Sequence, residues 1–349
     1  ATDNYSYADV PDATTILGAA KITGRTSRGF TVGLMNAVTG RATADVQSAT
    51  GVRGSQEVEP LADYFVGRVK HDFLNGNFVA GGVVSGVARN IDSTFAPRLA
   101  RHAELVGHDL FWSSADHVYD WRMQAAVTNV SGDSREVLLR QESSARYFQR
   151  PDRGGGTGGF FSNRLDSSAT SLRGGGLYTR LAKESGSWFG ETAFDTRTPG
   201  YESNDYAFQT RADYLFMNAN AGKVWTKPTR WYHQFIALGG AQTIRNYEGD
   251  RTQTDYHAFA EGTTPQFWNF MAFYIDFPSS IDDRQLRGGP AVRGAHGHFV
   301  NSYLSTDSRH TFVANVGMSY FWDEKGGNNP NVNAGVTYRP SANVSVSFS

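Results

Sequence analysis

Trp121-Arg122-Met123-Gln124-Ala125-Ala126-Val127-Thr128-Asn129-Val130 alternates between apolar and polar side chains along most of its length. In an extended chain Trp121, Met123, Ala125 and Val127 fall on one face, while Arg122, Gln124 and Thr128 fall on the other. One face suits hydrocarbon and the other suits water. The same two-residue period returns near the end of the chain. There Phe312, Ala314, Val316, Met318 and Tyr320 oppose Asn315 and Ser319; Val332, Ala334, Val336 and Tyr338 oppose Asn333, Thr337 and Arg339; and Val344, Val346 and Phe348 oppose Asn343, Ser345 and Ser347. Strands of soluble sandwiches alternate too, but usually over about five or six residues. A run of about ten is what a tilted strand needs to cross a bilayer.

Connector length supplies a second rhythm. Alternating segments fall at 14–25, 30–41, 62–73, 77–89, 104–115, 121–130, 173–184, 187–197, 210–225, 231–243, 255–266, 267–277, 298–306, 311–321, 332–339 and 343–348, giving sixteen expected strands. Tight turns at 26–29, 74–76, 117–120 and 185–186, at Lys227 and Pro228, and around Gln266 alternate with longer connectors such as 42–61, 90–103 and 132–172. Short turns on one side and long loops on the other are the signature of an antiparallel up-and-down transmembrane β-barrel. Residues 1–349 therefore read as one outer-membrane β-barrel domain. The first strand feeds a short turn and the sixteenth ends on the long-loop side, so at least one further strand is expected at each end, eighteen or more in all.

Composition fits this class. The chain has 349 residues, 38 Gly, 13% aromatic residues and no Cys. It contains no run of eighteen apolar residues and its mean hydropathy is negative, which argues against helical membrane spans. A barrel hides its hydrophobicity in every second residue. With a net charge of −1 and no basic cluster interleaved with aromatics, nucleic acid is not an expected partner. Outer-membrane lipid is.

Four stretches, TILGAAKITGR at 15–25, VGLMNAVT at 32–39, EPLADYFVGRV at 59–69 and SSARYFQRPD at 143–152, together resemble a family of uncharacterised bacterial outer-membrane barrels. In that family the barrel typically follows a secreted domain similar to carbohydrate-binding family 9. The resemblance implies location and fold, and brings no catalytic residues with it.

Lys21, Arg25, Arg68, Lys70, Arg122, Glu191, Asp195, Arg197, Arg211, Asp213, Glu261 and Arg339 are expected to face the lumen. A wall of both signs would pass or guide polar solutes, or simply keep the bore wet. In the long loop at 132–172, Arg146, Tyr147, Phe148 and Arg150 precede a glycine cluster and Phe160 and Phe161. Aromatic rings beside arginines stack well on sugar faces, and they equally well pack a loop on itself. The seven tryptophans, Trp112, Trp121, Trp188, Trp225, Trp231, Trp268 and Trp322, fall near strand ends, as in an aromatic girdle. His71 beside Asp72, and His296 and His298 near Asp307, belong to no recognisable catalytic motif, so no enzyme, cofactor or metal centre is expected. The functional expectation is a porin-like pore or transporter for polar solutes, with saccharides a candidate. A docking barrel that anchors a periplasmic or extracellular partner is the alternative, and an outer-membrane hydrolase a weaker one.

Overall fold

A computed structural model describes residues 5–156, 158–341 and 343–349. Sixteen antiparallel strands form one continuous sheet: β1 (Ile16–Arg25), β2 (Phe30–Thr39), β3 (Ala62–Phe73), β4 (Phe78–Arg89), β5 (His102–Ser113), β6 (Tyr119–Ser131), β7 (Ser171–Lys183), β8 (Trp188–Arg197), β9 (Tyr214–Trp225), β10 (Gln234–Arg245), β11 (Arg251–Thr263), β12 (Asn269–Phe277), β13 (Gly297–Ser305), β14 (Phe312–Asp323), β15 (Asn328–Ser341) and β16 (Val344–Phe348). Each strand pairs with its sequence neighbours, so the order is an uninterrupted meander. Among the described residues β1 and β16 have one neighbour each, and the sheet is not closed. All-β architecture, strand number and up-and-down order are as the alternation predicts.

Several boundaries differ from expectation for local reasons. β9 starts at Tyr214, not at residue 210, because Asp213 has φ 59° and cannot continue an extended strand. Arg211 and Asp213 thus lie in the 198–213 connector instead of on a strand face. β10 and β11 continue to a tight turn at 246–250, where the Asn246 side chain accepts the backbone N–H of Glu248 (3.1 Å) and of Asp250 (2.9 Å). At 324–327 the Asp323 carboxylate does the same for Lys325 and Gly327. These two turns sit on the side where the remaining connectors are long. The 40–61 connector is not structureless, since Ala42–Gln47 pairs with Arg53–Glu59 and with Tyr7–Asp9 in a separate three-stranded sheet.

Register fixes the two faces. Trp112 is paired directly with Trp121, Trp121 with Leu181, Trp188 with Lys223 and Trp225 with Phe235, so all these side chains leave one side of the sheet. Ile22, Leu34, Val84, Val106, Val127, Val316 and Phe348 lie on that same side, the outer face. Aromatic contacts run along it at the short-turn end: Phe30–His71, His71–Phe73, Phe73–Phe78, Trp225–Phe235, Phe235–Phe270 and Phe312–Tyr338. Six of the seven tryptophans are at this end, Trp231 and Trp268 in the turns themselves; Trp322 is at the other.

Apolar burial is concentrated on the opposite, inner face, beneath the long loops. Ala62, Val87, Ala103 and Val130 on four neighbouring strands pack with Ala100, Tyr64 and Tyr206. Leu172 of β7 packs with Val137 and Phe148 of the 132–170 loop. The loops reach this wall where the strand offers no side chain. A Cβ on Gly174 would lie 2.1 Å from the Tyr201 nitrogen, and one on Gly200 would lie 2.0 Å from the Arg173 oxygen. Only two glycines allow backbone to rest on backbone there. We expect Gly174→Val to lift the 198–213 loop off the wall while the ladder survives, seen as new proteolytic cleavage in that loop with an unchanged far-ultraviolet β spectrum.

Candidate functional site

Ten of the twelve side chains expected to line a lumen occupy the inner face by register: Lys21, Arg25, Arg68, Lys70, Arg122, Glu191, Asp195, Arg197, Glu261 and Arg339. Their ion pairs are between near neighbours. Arg25 meets Asp72 at 2.6 Å, Arg68 meets Asp109 at 2.8 Å, and Arg122 stands 3.9 Å from Asp120. Asp195 accepts the Tyr214 hydroxyl at 2.8 Å, and Arg197 lies over the rings of Tyr201 and Tyr214. Arg339 donates to the Ser308 carbonyl. A cavity of about 290 Å³ opens against this wall, lined by Arg68, Asp109, Gln124, Tyr178, Asp195 and Arg197.

A second polar band crosses five strands. Arg180 donates to Glu191 (2.6 Å), Glu191 accepts from Asn218 (3.3 Å) and Asn220 (3.4 Å), Asn220 meets His257 (2.8 Å), and His257 meets Asp255 (3.0 Å), which accepts from Gln242 (2.6 Å). Of these, sequence reasoning singled out Glu191 alone. Alternation places Asp255 and His257 on one face, but only the register of β7 to β11 lines the seven residues up.

Above the wall, four loops form a cap. A short helix, α1 (Ser134–Glu142), starts at Asp133, whose carboxylate accepts the Arg135 N–H. Its Arg140 pairs with Glu136 and with Asp205 (2.8 Å), and Asp205 also binds Arg89 (2.7 Å). Arg146 is fully buried. It pairs with Glu202 at 2.9 Å and donates to the carbonyls of Pro199 (3.0 Å) and Tyr201. Arg153 binds Asp213 at 2.7 Å, and Asp213 also accepts the Tyr247 N–H. Arg150 holds Asp152 (2.9 Å) and lies 3.6 Å from Asp283, which Arg211 approaches at 3.4 Å. Arg284 donates to the carbonyls of Ser144 and Ala145. The 132–170, 198–213, 246–250 and 278–296 connectors are thus tied to one another.

Arg146, Phe148 and Arg150 are therefore engaged inside the cap, and Tyr147 takes a left-handed backbone (φ 52°) between them. Burial pushes the Arg146 guanidinium below its ordinary value, against the pull of Glu202. Burial, followed by the charge of Arg211, brings Arg284 down to about 10. The Glu136 carboxyl moves up, because burial, with the nearby charges of Asp205 and Glu202, outweighs Arg140.

The chain matches the family described as "Domain of unknown function (DUF5916)" over residues 1–101 and 155–349. It belongs to that family. The DUF5916 match takes in three of the four stretches quoted from the sequence, at 15–25, 32–39 and 59–69, and leaves out 143–152. No curated protein matches this DUF5916 chain. Among solved structures it is similar to the crystal structure of BamA from Haemophilus ducreyi lacking POTRA domains 1-3, with 8% identity and a TM-score of 0.38, over 99% of this chain and 76% of that one.

Removing one partner of a buried pair leaves the other charge desolvated, at a cost of about 3–5 kcal/mol. In this DUF5916 chain we expect Arg146→Ala to loosen the cap by about that amount, read as faster hydrogen exchange at 133–150 and 198–205 with the strands still protected. Glu136 adds a pH dependence. Its carboxyl binds a proton more tightly in the packed cap than in an unfolded chain, so its stabilising contribution is complete below the ordinary value of 4.5 and is lost as the pH rises through the raised one. Glu136→Gln should flatten that part of the pH profile of cap opening, measured by the same exchange experiment.

Proposed function

We propose that this chain is a bacterial outer-membrane barrel that conducts polar solutes, saccharides among them, through a lumen gated by its own loops. The observation that carries the reading is the division of labour across the sheet. One face is apolar and ringed with aromatic side chains at its short-turn end; the other is charged and bears a cap held by buried ion pairs. The first suits hydrocarbon and its interface. The second suits water and solute.

Ion pairs suit a gate because they have an alternative. Arg146 with Glu202 and Arg153 with Asp213 are stable together when dry, and each group is also stable when hydrated. Opening exchanges one state for the other without exposing a large apolar core. Tyr178 and Arg197, on the wall beneath, offer a ring face and a planar donor to a polyhydroxylated solute passing the cavity. This is a conduit, not a catalyst. The docking reading is favoured by a different observation, the three-stranded sheet built from Tyr7–Asp9, Ala42–Gln47 and Arg53–Glu59 on the long-loop side, whose two outer strands have no further partner strand among the described residues and so offer edges to a partner.

Planar-bilayer recording separates the two. We expect the wild-type barrel to be closed for most of the time, and Arg146→Ala or Gly174→Val to conduct stably, with block by added oligosaccharide. Variants that insert, lose the cap by hydrogen exchange and stay silent would reject the pore and leave the docking barrel.

A further inference from the structure

Among the ionisable side chains on the outer face, one cluster near its long-loop end is used by neither cap nor conduit. Asp276 on β12 is the direct register partner of His298 on β13, and His298 of Trp322 on β14, so all three leave the apolar side of the sheet near its long-loop end. His296, two residues before His298, closes the 278–296 connector. One carboxylate oxygen of Asp276 lies 2.6 Å from His296 Nε2 and 3.0 Å from His298 Nδ1, and the three donor atoms all fall within 4.8 Å of one another. Ionisable groups on a face made for hydrocarbon are costly and need a reason.

The surroundings hold both rings in place. His298 is stacked on Trp322 at 5.0 Å and on Tyr274 at 6.2 Å, and the Tyr274 hydroxyl reaches its Nδ1 at 3.0 Å. His296 is fixed through its backbone, its N–H donating to the Glu324 carboxylate and its carbonyl accepting the Glu324 N–H. The His296 side chain keeps 40% of its exposure, and His298 and Asp276 keep about a quarter, so a solvent-side position stays open. Two imidazoles and a carboxylate are a donor set for zinc-class ions. Tetrahedral bonds of about 2.0–2.1 Å place donors about 3.3 Å apart, so the Asp276 oxygen, at 2.6 Å from His296 Nε2 and 3.0 Å from His298 Nδ1, would draw back by roughly 0.7 Å from the first and 0.3 Å from the second.

We propose that Asp276, His296 and His298 bind a divalent transition-metal ion of the zinc class, with water in the remaining coordination position. The site stands independently of the transport reading. It would fasten the end of the connector whose Asp283 and Arg284 tie the cap.

The test is calorimetric titration of Zn2+ into tag-free, chelator-stripped protein in detergent, with Co2+ absorption as a second probe of coordination. We expect one ion per chain, tetrahedral-type Co2+ bands, and at least a tenfold loss of affinity in each of His296→Gln, His298→Ala and Asp276→Asn. His296→Gln lies outside the strands, so it separates loss of the site from loss of the fold, which far-ultraviolet circular dichroism monitors. No saturable binding by folded wild-type protein, or unchanged affinity in folded His296→Gln, overturns the proposal.

Discussion

Antiparallel register is the constraint on which everything else in this molecule rests. Because side chains alternate with a period of two, the pairing of Trp112 with Trp121 or of Gly190 with Ala221 decides the face of every other residue on those strands. A slip of one residue would send Arg68, Arg122 and Asp195 to the apolar side and Val69, Met123 and Phe194 to the polar one. Apart from register shifts near a few strand ends, each interior strand is paired on both sides, which is what a span through hydrocarbon demands. The side chains then sort by face without further instruction.

Among the described residues no second layer of sheet or helix packs against the large sheet, and the loops supply the interior. They do so with few large apolar residues and many charges. Val137, Phe148 and Leu172 form a small core, around which the Arg89, Arg140, Arg146 and Arg153 guanidiniums each find a carboxylate. Such pairs add little net stability over an apolar core, yet they fix geometry strictly, since an unpaired buried charge is expensive. The result is a cap whose arrangement is specific but whose parts are all compatible with water.

Period-two alternation is local, so the strands were legible: all sixteen expected segments coincide with strands of the sheet, with shifted ends. The shifts have local chemistry behind them. Asp213 adopts a left-handed backbone, and the Asn246 and Asp323 side chains seal turns in stretches that resemble loops by composition. Partners across loops were not legible. Nothing in SSARYFQRPD says that Arg146 will meet Glu202 rather than a ligand, because that contact depends on Gly174 and Gly200 letting two backbones touch. The cluster of Asp276 with His296 and His298 escaped for the same reason: the histidine pair was visible at i and i+2, but the third donor comes from the adjacent strand.

The tryptophans are distributed unevenly, with six at the short-turn end and Trp322 alone at the other. Indole rings settle at the level of lipid headgroups, so in a bilayer one rim would be moored and the other left without an equal tether. A change in bilayer thickness would then be taken up almost wholly at the rim that bears the loops. The capped end would ride higher or lower as lipid composition changes, while the turns at the far end keep a constant depth.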